Sequence, residues 1–229
     1  MTGKDLKFGR KQKGWTQEEA VSRLGVSQPY LSLLEKGTRP VPEKLARKAA
    51  ALYGLSAVTL PVESDWKALE LKNEKSLATD LATLGYPGFS HLTHGQRKNP
   101  VEVLLLALST RDLNSRLVEA LPWVLLEYPD LDWPSLVNAV KVRDLQNKLG
   151  FVVSLARRVA EKQGASGKAE QLRSPESALE RSRLLLEETL CHESLTNAER
   201  KWLLTSRPPE AEYWRLLTDL RPEHLSYAS

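Results

Sequence analysis

The sequence contains little cysteine and no long apolar segment, and each of these shortages excludes a class of protein. Its 229 residues include a single cysteine, Cys191, which excludes an internal disulfide framework and fits a reducing compartment. It has no run of about 18 uncharged apolar residues, so it contains no candidate for a membrane-spanning helix. Its first ten residues, MTGKDLKFGR, carry charge but no apolar segment for export. We therefore expect a cytoplasmic protein with no membrane partner.

Motifs for catalysis and metal binding are also scarce. The sequence contains no glycine-rich phosphate loop, no nucleophile elbow and no kinase-type signature. His91 and His94 have the spacing of a metal-binding pair, but a zinc site would also need Cys191 and His192 to converge on them from far away in the sequence. We interpret the loop histidines as solvated. We expect no enzymatic activity, no metal and no cofactor.

Positive charge is concentrated at one end of the chain. Residues 1–60 contain eleven Lys and Arg against five Asp and Glu, a formal charge of +6, whereas the remaining residues, with 22 against 24, carry −2. A basic segment joined to a near-neutral one indicates that the basic segment alone contacts a polyanion such as nucleic acid.

A short amphipathic helix is predicted inside this basic segment. Thr16 and Glu19 have the spacing of a capping box, in which the hydroxyl accepts from the amide three residues on and the carboxylate accepts from the amide of the cap. The helix should therefore begin at Gln17. Gly25 can adopt the left-handed conformation that ends a helix at low steric cost.

A second helix is predicted almost immediately after the first. Ser27 is a suitable N-cap, and Pro29 lies in the first turn, where backbone N–H groups lack helical partners. Leu31 and Leu34 are three residues apart and should face inward, and Gly37 should stop the helix. A turn this short prevents the two helices from lying antiparallel, which predicts a helix-turn-helix.

Residues 6–60 resemble the Cro and lambda-repressor-type helix-turn-helix family, also called the xenobiotic-response-element family. The resemblance rests on a basic first helix, a Thr-Gln opening, a glycine in the turn, a Ser-Gln opening of the recognition helix, the motif LEKGTRP and a later helix ending in ALYGLS. One departure is Ala20-Val21, where the family commonly has Leu-Ala. The resemblance implies that Arg10 of the first helix forms an ion pair with Glu35 at the end of the recognition helix.

The recognition helix of this motif lies in the major groove, with its N-terminal residues at base edges. Gln28 carries an amide donor and an amide acceptor that match N7 and N6 of adenine. We predict that eight further residues contact double-stranded DNA: Gln17, Ser27 and Ser32 through hydrogen bonds, Pro29 and Leu33 through apolar contacts, and Lys36, Thr38 and Arg39 at a phosphate strand.

The rest of the chain keeps a helical pattern without a convincing strand signal, so an all-α fold is predicted. We expect three parts: a lambda-repressor-like helix-turn-helix domain over 1–61, an all-helical dimerisation or effector domain over 62–163, and a loop plus helical C-terminal extension over 164–229.

Four tryptophans in the rest of the chain are expected to anchor the core or an interface: Trp123, Trp133, Trp202 and Trp214. Local sequence patterns also predict where the secondary-structure elements of this part begin and end. The predicted elements are helices over 64–84, 100–108, 117–128 (bent at Pro122), from 132 and over 145–162, a mobile loop over 163–174, a helix over 174–190, a helix capped by Thr196 and Glu199, and a last helix opened by Pro209.

The predicted function is that of a sequence-specific transcriptional regulator, a repressor that binds DNA as a homodimer. A dimer that binds two half-sites one helical turn apart has a much higher affinity for DNA than a single module has. Residues 142–161, VRDLQNKLGFVVSLARRVAE, resemble regulators found beside nucleotidyltransferase-like toxins, which implies an antitoxin that binds a toxin protein. One alternative is a regulator whose C-terminal domain senses a small molecule. A second alternative, an enzyme with a DNA-targeting module, is disfavoured because the sequence shows no catalytic nucleophile paired with a general base.

Overall fold

The computed structural model describes residues 1–62, 73–93 and 95–228. Nearly all regular structure in these residues is helical, which confirms the predicted all-α class. The chain divides into two compact units, Met1–Glu63 and Ser64–Ser229. Whether the parts expected on either side of residue 61 fold independently stays a prediction.

The first unit is built from four short helices around an apolar core. Helix α1 packs on α4 and α3, and α2 packs on α3 and α4. The core contains leucines and alanines that are almost completely buried, among them Leu6, Ala20, Leu31 and Leu34. The elements are α1 (Gly3–Gln12), α2 (Gln17–Leu24), α3 (Gln28–Glu35), α4 (Glu43–Tyr53) and a 3-10 helix (Ala57–Thr59).

The ends of α2 and α3 explain the sharp turn between them. The predicted capping box is present, since the amide of Glu19 donates to the Thr16 hydroxyl and the Thr16 amide donates to the Glu19 carboxylate. Gly25 has φ of 75°, the left-handed conformation that was predicted. Ser27 occupies the N-cap of α3, but its side chain accepts no capping hydrogen bond, contrary to our expectation. Pro29 removes one of the two amides that an N-cap side chain can bond, and the other, that of Tyr30, makes no bond to Ser27 either.

The second unit consists of eight further α-helices and one pair of two-residue strands within the described residues. No helix among these residues is long and apolar enough to cross a bilayer. The elements are α5 (Glu74–Leu84), α6 (Pro100–Ser109), α7 (Ser115–Glu127), α8 (Trp133–Lys141), α9 (Gln146–Lys162), α10 (Ser166–Glu180), β1 (Glu188–Thr189), α11 (Asn197–Ser206), α12 (Pro209–Tyr213) and β2 (Leu216–Leu217), with 3-10 helices at Pro87–Phe89 and Pro222–His224.

Several helix predictions in this unit agree with these bounds, and one falls partly on residues that the structure does not describe. The predicted helix over 64–84 is described only from residue 73 onward, where α5 begins at Glu74. The capping box of Thr196 and Glu199 is present at the start of α11. Pro122 lies inside α7, as expected.

Helix α9 forms the centre of the second unit, and every residue from Gln146 to Ala156 is buried. It packs on α10, α7, α8 and α12. The segment Leu149–Ala156 is apolar except for Ser154, as a helix segment buried on all sides requires, whereas the buried residues at its start, Gln146, Asn147 and Lys148, are polar.

The predictions for residues 163–190 were only partly right, since residues 174–180 are helical as expected but the bounds of the loop and of the helix were wrong. The expected mobile loop over 163–174 is mostly the first half of α10, and the expected helix over 174–190 ends at Glu180. Small and polar residues dominate 163–174, so composition hid the periodic burial of Ala169, Leu172 and Leu179 against α9. Gly164, with φ of 70°, provides the break between α9 and α10. After α10 the chain turns into strand β1.

The last helix was also predicted to be longer than it is. Helix α12 ends at Tyr213, and Leu216 and Leu217 form β2, which pairs in parallel with β1. Between them Trp214 is 1% exposed and lies against Gly150 of α9, whereas Trp202 is 55% exposed. The C-terminal segment therefore packs on the unit through Trp214, and Trp202 does not anchor this core.

A network of hydrogen bonds holds the Trp214 side chain against α9. Its Nε1 donates to the Ser154 hydroxyl at 2.7 Å, and that hydroxyl donates to the Glu176 carboxylate at 2.5 Å. Arg157 also donates to Glu176, from Nε to Oε2 at 2.6 Å. These buried polar groups satisfy one another, as a stable interior requires.

Replacing Gly150 by alanine should destabilise the second unit. A Cβ at this position would lie 2.3 Å from the Trp214 ring, so the tryptophan must shift, at a cost of about 1–3 kcal/mol. Gly167→Ala is the matched control, because a Cβ at Gly167 in α10 meets nothing within 4 Å and should stabilise by about 0.5–1 kcal/mol. Urea unfolding of both variants measures the difference, and equal stabilities would contradict this packing.

Candidate nucleic-acid interface

A buried ion pair joins the first and third helices of the first unit. Nε of Arg10 donates to Oε1 of Glu35 at 2.6 Å, and Nη2 donates to Oε2 at 2.9 Å. The third guanidinium nitrogen, Nη1, donates to the Trp15 carbonyl at 2.8 Å. The side chains are 10% and 3% exposed. The structure therefore brings together the two residues whose pairing the family resemblance implied.

The pair shifts the ionisation of both partners toward their charged forms. The hydrogen bond to Glu35 raises the pKa of Arg10 against the opposing effect of burial. Burial by itself would raise the pKa of Glu35, but hydrogen bonds from Arg10 and Gln17 outweigh burial and hold this pKa below its ordinary value. Both groups therefore stay charged in the folded unit near neutral pH.

Two glutamine amides extend this pair to the start of α3. Nε2 of Gln17 donates to Oε2 of Glu35 at 3.0 Å, and Nε2 of Gln28 donates to Oε1 of Gln17 at 2.9 Å. Gln17 is the first residue of α2, and Gln28 is the first residue of α3. The chain of contacts thus runs from a buried guanidinium to an exposed amide at the tip of the predicted recognition helix.

The chemistry of this chain fixes which way each amide points. A carboxylate only accepts hydrogen bonds, so Gln17 must turn its NH2 group toward Glu35 and its oxygen toward Gln28. Gln28 must then turn its NH2 group toward Gln17. Within the described residues, Oε1 of Gln28 and one of its N–H bonds have no other partner. One donor and one acceptor remain, and these are the groups that a bidentate contact with adenine requires.

The other residues predicted to contact DNA lie on or beside α3. Ser27, Pro29, Lys36, Thr38 and Arg39 are exposed, as is Gln28, whereas Gln17, Ser32 and Leu33 are half-buried. Their contacts with DNA stay predictions. At the start of α2, Glu18 and Glu19 occupy the first turn, and their charges compete with a phosphate for the positive end of that helix.

Some basic residues of the first unit have structural roles that the sequence alone did not indicate. Nζ of Lys48 donates to the Leu24 carbonyl at 2.8 Å, which satisfies the C-terminus of α2. The guanidinium of Arg23 lies 4.1 Å from the centre of the Trp15 ring. These cations are therefore occupied within the unit, which leaves Lys36 and Arg39 as better candidates for phosphate contacts. The Gln17–Gln28 hydrogen bond was also missed, because it joins two different helices and depends on the angle at which they cross.

Comparison with known proteins places the resemblance in the same segment. A family model described as "Helix-turn-helix" matches residues 6–60. The chain is similar to an uncharacterized HTH-type transcriptional regulator, y4dJ, of Sinorhizobium fredii (strain NBRC 101917 / NGR234), with 44% identity over 66 residues. This match covers 28% of the present chain and 84% of the relative. No solved structure matches the chain.

Breaking the Arg10–Glu35 pair from either side should strongly destabilise the first unit. Arg10→Met and Glu35→Leu each leave one buried charge unpaired, which typically costs about 3–5 kcal/mol. The double variant removes both charges and should be more stable than either single variant. Hydrogen exchange localised to α1–α4 measures these effects. Glu43→Leu, which breaks the more exposed pair with Arg47, is the control and should cost less than about 1 kcal/mol.

The same pair should make the stability of the first unit depend on pH. Because the folded pKa of Glu35 is depressed, its contribution is complete above the unfolded pKa, about 4.3, and is lost as the pH falls through the folded value. The Arg10→Met/Glu35→Leu double variant should lack this part of the acid dependence. Identical acid profiles for the double variant and the wild type would show that the pair contributes nothing.

Proposed function

Because the chain belongs to the Cro/lambda-repressor-type helix-turn-helix family of transcriptional regulators, we propose that it represses transcription by binding a specific DNA sequence as a homodimer. The chain is a DNA-binding transcriptional regulator, and three finer points make up the proposal: the residues that read the sequence, the dimer, and repression as the outcome.

The observation that supports the proposal most directly is the oriented amide of Gln28. It lies exposed at the N-terminal end of α3, the part of a recognition helix that meets base edges. Gln17 holds it in one orientation, and Glu35 and Arg10 hold Gln17. A fixed donor and acceptor lose less conformational entropy on binding than a mobile side chain, so they favour the matching base over the others.

The homodimer is proposed because one recognition helix of eight residues contacts few base pairs. Two copies related by two-fold symmetry would place two such helices in successive major grooves, one helical turn of DNA apart. Selection from random duplexes with the full chain tests this arrangement. We expect a palindromic site whose half-sites are about 10 base pairs apart. A single, asymmetric half-site bound by one copy would contradict the dimer.

Repression is proposed from the resemblance to repressors, and a reporter assay tests it. A promoter that carries the selected site should be less active with the wild-type chain than with a Gln28→Ala variant. The antitoxin role stays a prediction from the sequence. Most of the residues that carry that resemblance, 142–161, lie in the buried helix α9, where they present little surface to a partner protein.

Removing residues 1–61 should abolish binding to the selected site and leave a helical remainder. The basic excess and the helix-turn-helix are both confined to the removed part. Gel shift measures binding, and circular dichroism verifies that the remainder is folded. Binding of the remainder at the concentration that suffices for the full chain would place the DNA-binding surface elsewhere.

Base reading and phosphate anchoring should separate in the variants of the first unit. Gln28→Ala should cost about 1–3 kcal/mol on the selected duplex and little on random DNA, because its amide reads a base edge. Lys36→Ala or Arg39→Ala should weaken both duplexes. Each lost phosphate contact should also flatten the slope of log affinity against log salt by about 0.9. If Gln28→Ala weakens both duplexes equally and flattens the salt slope, Gln28 is a phosphate contact.

A further inference from the structure

A cavity of about 290 Å³ in the second unit has walls that are almost entirely polar or charged. Its size corresponds to about ten water molecules in the liquid, which is small for a ligand site. Three elements that are distant in the sequence line it and leave it open to solvent on one side: α9, the segment around β1, and α11. The residues that line it are Lys148, Glu187, Glu188, Thr189, Glu193 and Arg200.

Lys148 is the most deeply buried of the charged residues that line this cavity. Its side chain is 6% exposed, although an ammonium group is rarely buried unless it is well paired. The distance from its Nζ to the nearest Glu188 oxygen, Oε2, is 3.7 Å, which is longer than a hydrogen bond. The protein therefore keeps a buried cation at the cavity wall with a loose partner.

Two polar atoms of β1 are buried behind this wall without partners. Oε1 of Glu188 and Oγ1 of Thr189 have almost no accessible surface, and neither has a hydrogen bond within the described residues. Burial raises the pKa of Glu188, although the nearby Lys148 acts in the opposite direction. Unsatisfied buried polar atoms cost free energy, and native proteins contain few of them. Both residues belong to β1, whose pairing with β2 fixes their positions.

The remaining charges form the rim and are of both signs. Glu187 is neutralised by Arg207, whose Nη1 donates to it at 2.6 Å. Glu193 lies on the rim and is 3.7 Å from the well-exposed Arg111, and Arg200 of α11 is half-buried. No group of three potential metal ligands converges anywhere in the part of the chain that the structure describes. The cavity thus offers positive groups and negative groups side by side.

We propose that this cavity binds a small zwitterion, an α-amino acid, whose carboxylate lies between Lys148 and Arg200 and whose ammonium group faces Glu188 and Glu193. A simple anion would meet the three carboxylates of the cavity, and a simple cation would meet its two basic groups. A zwitterion complements both signs, and its carboxylate would give Lys148 a closer partner than Glu188 at 3.7 Å.

Binding to the full chain is measured by titration calorimetry and by thermal unfolding, with each common amino acid tested singly. One or a few amino acids should raise the Tm of the second unit by about 3–6 °C at ten times their Kd. For the tightest binder, the N-acetyl derivative and the carboxamide each lack one of the two charges. Each should bind at least about tenfold more weakly, because a charge-assisted hydrogen bond is lost.

Arg200→Gln tests the rim without removing a buried charge. It should weaken amino-acid binding, whereas Lys201→Gln, at the neighbouring exposed position outside the cavity, should not. The absence of binding by every amino acid would show that the cavity holds only water, which overturns the proposal. Equal binding of inorganic phosphate or of the N-acetyl derivative would overturn the zwitterion. Binding that Arg200→Gln leaves unchanged would place the ligand elsewhere. None of these outcomes depends on DNA, so they are distinct from a failure of the proposed repressor function.

Discussion

The ion pair of Arg10 and Glu35 is the constraint on which the DNA-binding unit depends. Two opposite charges can remain in a small interior only if each satisfies the other, and here the guanidinium also binds the Trp15 carbonyl. The remaining lone pairs of Glu35 then require a donor, which Gln17 supplies. The orientation of the exposed Gln28 follows from that of Gln17. The chemistry that holds α1 against α3 therefore also determines how the exposed amide of Gln28 is oriented at the start of α3.

The local architecture of the first unit could be predicted because its signals are local. A capping box, a left-handed glycine and a proline in a first turn each act within a few residues, and the structure shows them at Thr16, Gly25 and Pro29. The ion pair joins residues 25 apart in the sequence and was expected only from the family resemblance. The Gln17–Gln28 hydrogen bond had no signal at all, because it depends on the angle at which α2 and α3 cross.

The second unit could be predicted less well because tertiary contacts decide more of it. Residues 166–180 are helical although they contain Gly167, Pro175 and three serines, since α9 offers an apolar surface for Ala169 and Leu172. Strands of two residues have no detectable period, and β1 and β2 exist only through each other. The polar cavity likewise combines Lys148, Thr189 and Arg200, which no motif connects.

The packing of Trp214 against α9 has a consequence for the order in which the protein folds during synthesis. Domains near the N-terminus generally fold first on the ribosome, and the four helices and the ion pair of the first unit all lie within its own 63 residues. In contrast, Gly150 and Ser154 lie at the middle of the second unit, and their partner Trp214 is made about 60 residues later. Tyr227, which donates to the Glu119 carbonyl, comes later still. If the first unit folds on its own, a nascent chain passes through a stage in which the helix-turn-helix is formed while Gly150 and Ser154 still lack their partner.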